Sequence, residues 1–136
     1  MSYELREHTA DVAVEATGKT IDAVFGAVAD GLAAAMYDDP PEEGDRFELT
    51  RTAESREALL FDYLDELIYQ RDVRGVLPVG NEATVRETSE GWTVEASARG
   101  VPLSLITARE VKAVTYSEMQ LERTDGGWRA YVVFDV

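Results

Sequence analysis

Two stretches at opposite ends of the chain hold the residues best suited to cation chemistry. His8-Thr9-Ala10-Asp11 sets an imidazole and a carboxylate three positions apart, and Asp135 stands one residue before the terminal carboxylate of Val136. A bend at the first stretch brings His8 and Asp11 to one rim, where they can ligate a metal or share a proton. The commoner fate of such a tetrapeptide is structural, with Asp11 bonding the turn backbone and His8 packing at the edge. Asp135 interrupts the apolar, β-rich run 131–136. If the last strand pairs beside the first two, Asp135 and the terminal carboxylate add oxygens to the same rim; at a frayed terminus they are solvated and idle. His8 is the only histidine and there is no cysteine, which excludes multi-histidine zinc sites, thiolate sites and a cysteine nucleophile. A metal held here is held mainly by oxygen, the preference of calcium, magnesium or manganese.

Other chemistry-bearing residues are more ambiguous. Lys112 lies inside the apolar segment 111–116, where it can neutralise clustered carboxylates, bind an anion or extend its ammonium to solvent. The acidic stretch 38–45 lacks the glycine and closing glutamate of a twelve-residue calcium loop and reads as a solvated turn. No phosphate-cradling glycine loop, G-x-S-x-G elbow or dinucleotide fingerprint occurs.

The elements that must position these residues are legible from periodicity. Residues 3–7 and 12–16 alternate as two strands flanking His8–Asp11. After Gly18, Thr20 caps a helix whose apolar positions Ile21, Val24, Phe25, Val28, Leu32 and Ala35 follow the helical repeat, and residues 38–45 end it. Residues 47–52 alternate as a strand. Ser55 caps a second helix with Leu60, Tyr63, Leu64, Leu67 and Ile68 on one stripe. Strands are expected at 83–88, 92–98, 111–122 and 128–136, with turns at Ser89-Glu90-Gly91 and Asp125-Gly126-Gly127, whose glycines supply positive φ. The expected fold is one α+β domain over 1–136: a mostly antiparallel sheet of about six or seven strands, with two amphipathic helices packed on one face.

Composition narrows the partners. The 136 residues carry 27 Asp and Glu against 13 Lys and Arg, a formal net charge of -14. Such a surface repels phosphate backbones, so direct nucleic-acid binding is not expected. Lysine occurs only at positions 19 and 112, and acid excess with lysine scarcity resembles adaptation to a salty cytoplasm, where salt screens self-repulsion. With no apolar run near the roughly 18 residues of a membrane span and no signal-like start, no membrane partner is expected and the location is read as cytoplasmic.

Taken together, H-T-A-D at 8–11, Gly31-Leu32 on the first helix, Leu59-Leu60 and Leu64-Asp65-Glu66-Leu67 on the second, V-K-A-V-T-Y at 111–116 and the closing Phe134-Asp135-Val136 resemble the archease family from end to end. The resemblance implies a protein cofactor, not itself an enzyme, of the RtcB-type RNA ligase of tRNA splicing, promoting guanylylation of the ligase by GTP and its multiple turnover. It also implies a divalent-metal site, read as calcium with magnesium or manganese as alternatives, formed by Asp11, Asp135 and the last residue, Val136. His8 and Lys112 match motif positions, the first to orient Asp11 and the second to balance acidic charge. Ser117 departs from the histidine that usually follows V-T-Y. Two other functions compete: a metal-dependent hydrolase, which requires a deep pocket around both carboxylates, and a metal-free module binding a basic partner through the acidic loop 38–45. The metal reading requires the two ends of the chain to adjoin in space.

Overall fold

The computed structural model describes the backbone of residues 3–8 and 11–136 and the side chains of 3–5 and 11–136. Strands β1 (Tyr3–His8) and β2 (Asp11–Gly18) lead into helix α1 (Ile21–Met36), followed by β3 (Asp45–Ala53) and helix α2 (Arg56–Arg74). Strands β4 (Val76–Thr88), β5 (Gly91–Pro102), β6 (Ala113–Thr124) and β7 (Gly127–Asp135) complete the chain, with a 3₁₀ turn at Leu103–Leu105.

Both helices start where the caps require. The hydroxyls of Thr20 and Ser55 accept the N–H groups of Ala23 and Ala58, each at 3.1 Å, satisfying one of the first-turn donors that a helix leaves without a partner. Helix α2 stops at Gly75, whose φ of 65° is the left-handed conformation that closes a helix, and β4 begins with the next residue.

The strands divide between two antiparallel sheets, ordered β1-β2-β7-β6 and β3-β5-β4. Helix α1 packs on β2 and β4 and helix α2 on β6 and β3, so each helix is shared by both sheets. The core combines Val12, Val14 and Phe134 of the first sheet with Phe25 and Leu32 of α1, Leu60 and Leu64 of α2, and Leu77 and Val94 of the second sheet. The α+β class, the strand number and the two amphipathic helices agree with the expectation from periodicity; the division into two sheets is added by the structure.

Local differences have local causes. Strand β4 starts seven residues earlier than its alternation indicates, because a bulge at Gly80 and Asn81 breaks the period between Val79 and Glu82. Asp30 of α1 accepts from Asn81 there through the backbone N–H at 2.9 Å and the side-chain amide at 3.0 Å. Strand β6 begins at Ala113, two residues late. In the β6–β7 hairpin, only Gly127 of the glycine pair has positive φ, at 152°. A Cβ on Gly127 would lie 2.2 Å from the Gly18 carbonyl oxygen, so glycine lets this hairpin rest directly on the end of β2.

Candidate functional site

Pairing in the first sheet brings the chain ends together. Strand β2 runs antiparallel to β7 with Asp11 opposite Asp135, Val12 opposite Phe134 and Ala13 opposite Val133. His8 of β1 is opposite Asp11 and Ala113 of β6 is opposite Asp135, so one row crosses the sheet as His8, Asp11, Asp135, Ala113. Val12, Val14 and Phe134 are in the core, and the alternation of side chains therefore sends Asp11 and Asp135 to the other face of the sheet. Directly opposed residues have Cβ atoms about 4.5–5.5 Å apart, a spacing that one cation bridged by two carboxylates can span.

Asp11 is half-buried, Asp135 exposed and Val136 half-buried, with Val136 packed against the core edge. Among the described residues neither aspartate carboxylate accepts a hydrogen bond or forms an ion pair. Two like charges directly opposed across a ladder destabilise it, and no cation among the described residues pairs with either to offset the repulsion. A hard divalent cation is the chemistry that such a donor set fits, with the terminal carboxylate one residue away as further oxygen. No group of three or more His, Asp and Glu side chains suited to a metal occurs among the described residues, so any ion here would keep open positions.

The backbone of Asp135 is itself held. The Lys112 N–H donates to its carbonyl at 2.8 Å. One residue earlier, the Val111 carbonyl accepts from the guanidinium of Arg71 at 2.7 Å. Arg71 is 7% exposed and also lies 3.3 Å from the Met36 sulfur, tying α2 to the segment that feeds β6. Sequence reasoning missed Arg71, since an arginine just beyond the apolar stripe looks like a solvated position; its only signal was the helical spacing from Leu64, Leu67 and Ile68.

Of the other predicted residues, Thr9, Ala10 and the side chain of His8 lie outside the described residues. Lys112 is exposed. Ser117 is exposed in a bulge where four residues of β6, 116–119, face only Val132 of β7. The neighbouring Tyr116 ring leaves this bulge to meet Phe61 of α2, centroids 5.5 Å apart. Asp135 is open to solvent, and five surface cavities formed by the described residues are lined by neither Asp11 nor Asp135.

Residues 3–136 match the Archease protein family (MTH1598/TM1083). The chain belongs to the archease family. An archease of Methanosarcina mazei is 36% identical over 98% of this chain and 95% of its own length, and one of Thermococcus gammatolerans is 35% identical over 98% of each. The solution structure of Methanobacterium thermoautotrophicum protein 1598 superposes with a TM-score of 0.86 at 29% identity, covering 99% of both chains. The crystal structure of a Thermotoga maritima archease, described as a possible chaperone, shares the fold with a TM-score of 0.66 at 21% identity over 98% of this chain and 96% of its own. The archease match thus includes both chain ends, where the two aspartates stand. Among the described residues no helix is long and apolar enough to cross a membrane.

Proposed function

We propose that this archease is a non-catalytic, cytoplasmic protein cofactor of an RtcB-type RNA ligase in tRNA splicing, promoting guanylylation of the ligase by GTP and its multiple turnover. Its working site is the rim of Asp11, Asp135 and the Val136 carboxylate, which holds a divalent cation, calcium in the first instance. The observation that carries the reading is the cross-strand pairing of Asp11 with Asp135. Two carboxylates at open strand ends bind a cation weakly and leave coordination positions free, which suits a site completed by another protein better than one that turns over substrate alone. Asp11, Asp135 and the Val136 carboxylate would hold the ion, which would supply positive charge for the guanylyl transfer. Asp11 and Asp135 fix its place on the rim, and Arg71 with the Lys112 N–H keeps the Asp135 strand in register. The exposure of Asp135 favours this over a hydrolase, which needs both carboxylates enclosed.

Multiple-turnover ligation by the partner ligase, with and without this protein at high salt and with the metal varied, tests the proposal. Stimulation is expected with the wild type and calcium, and its loss with Asp11→Ala or Asp135→Ala. Unchanged stimulation by either variant rejects the assigned role.

A further inference from the structure

At the far end of β2 and β7 from the acidic rim, the surface reverses its charge. Seven residue steps along β2 separate Asp11 from Gly18, about 23 Å at roughly 3.3 Å per residue. Beyond Gly18 lies an open cavity of about 500 Å³ whose wall includes Lys19, Arg56, Arg123 and both tryptophans of the chain, Trp92 and Trp128. Among the described residues only one carboxylate, that of Asp125, lines it, although acids outnumber bases 27 to 13 in the chain as a whole.

Two of the three cations, Arg56 and Arg123, lie over rings and not beside carboxylates. Arg46, Arg51, Arg71, Arg86 and Arg129 each pair with a carboxylate. Arg56 instead sits 5.4 Å from the Trp92 ring centre and 5.0 Å from that of Trp128, and Arg123 lies 5.1 Å from Trp128. Among the described residues Lys19, Arg56 and Arg123 have neither an ion-pair partner nor a hydrogen-bond acceptor. Contact through ring faces orders a guanidinium while leaving its N–H donors unused. The arrangement is built by the backbone: the close approach of Gly127 to Gly18 and Lys19 sets the β6–β7 hairpin, with Arg123 and Trp128, against the start of α1. Arg56 is the first residue of α2 and Thr20 the cap of α1, so the positive ends of both helices face the same region.

Unused, preorganised cation donors call for an anion, and guanidinium planes beside indole rings offer a stacking surface for a flat base. We propose that this cavity binds a nucleotide unit, either free or within single-stranded RNA, its phosphate on Lys19, Arg56 and Arg123 and its base against the arginine–tryptophan cluster. The net charge of -14 opposes a long duplex footprint and confines binding to a short segment. The site is independent of the carboxylate rim and of any metal there.

Because the chain's only two tryptophans line the cavity, intrinsic fluorescence reports its occupancy directly. The full chain is titrated with uridine monophosphate, an eight-nucleotide oligouridylate, a duplex RNA of equal charge and polyglutamate, starting at the lowest KCl concentration that preserves a cooperative melt. Saturable quenching by the oligonucleotide is expected, with log affinity falling against log salt at a slope of about -2, the value for three cations on a single strand. Quenching by the mononucleotide with equal affinity assigns the site to free nucleotides; tighter binding of the strand assigns it to RNA. Lys19→Gln, which touches neither ring, is expected to weaken binding at least fivefold with the melt unchanged, and Arg123→Gln, which also loses its contact with Trp128, to weaken binding at least fivefold with the melt lowered by no more than a few degrees. No saturable quenching by either nucleotide probe, equal or better binding of duplex or polyglutamate, or affinity indifferent to both variants overturns the proposal.

Discussion

Replacing Asp135 by asparagine separates the cost of the carboxylate pair from its use. Asp11 and Asp135 are directly opposed, so their charges lie about 5 Å apart if the side chains run parallel. Two like charges at that distance repel by roughly 0.8 kcal/mol in water and about 3 kcal/mol at an effective dielectric constant of about 20. Asp135 is exposed and Asp11 half-buried, so solvent and salt reduce the repulsion toward the lower figure, to about 1 kcal/mol. Asp135→Asn keeps the shape and removes one charge. In chelator it is therefore expected to melt above the wild type by about 4 °C, taking roughly 4 °C per kcal/mol for a domain of this size. With calcium at one hundred times its dissociation constant, the wild type gains about 2.7 kcal/mol, or about 10 °C, and the variant gains little. The order of the two melts thus inverts on adding calcium. The assay is a pair of thermal melts, with and without calcium, at constant ionic strength. Equal calcium shifts for both proteins, or a variant that melts below the wild type in chelator, would refute the reasoning.

Further outcomes follow from the packing. The Tyr63 hydroxyl is buried without a hydrogen-bond partner among the described residues, while its ring stacks on Phe25 at 5.9 Å. Tyr63→Phe is expected to raise stability by about 1 kcal/mol in urea denaturation, since the unsatisfied group is removed and the stack retained. Burial, reinforced by Asp30, pushes the Tyr63 phenol well above its ordinary value of 10.0. The unfolded chain therefore loses this proton first, and the folded state loses stability as pH rises above about 10, by up to about 1.4 kcal/mol per pH unit. Tyr63→Phe removes that contribution, which a series of melts between pH 9 and 11 reads as a shallower decline. Arg71→Met leaves the Val111 carbonyl without its donor and is expected to cost about 2 kcal/mol; calcium stabilisation should shrink with it, because the same segment anchors Asp135. Gly127→Ala places a Cβ against the Gly18 carbonyl at a φ of 152°, at a cost of about 2–3 kcal/mol seen in the melt and a shift in tryptophan emission.

Local chemistry makes much of the fold readable along the chain. Thr20 and Ser55 announce both helix starts, the apolar stripe from Leu60 to Ile68 marks the buried side of α2, and Gly91 and Gly127 flag hairpins that the structure contains. These signals are short-range: a cap, a helical period or a turn is specified by residues within a few positions of one another. The motif set at both ends likewise points to the archease family, which the comparison across residues 3–136 shows.

The adjacency of Asp11 and Asp135 is of another kind. Sequence supplies two isolated carboxylates with 123 residues between them, and only the β2–β7 register makes them a pair, since a slip of one residue would put Asp135 opposite Ala10 or Val12 and turn its side chain to the other face. The division into two sheets and the gathering of Lys19, Arg56, Trp92, Arg123 and Trp128 around one cavity are decided in the same way. Each depends on strands from distant parts of the chain settling beside one another over a shared core, and the energy that selects that pairing resides in long-range burial and register, which no local pattern of residues expresses.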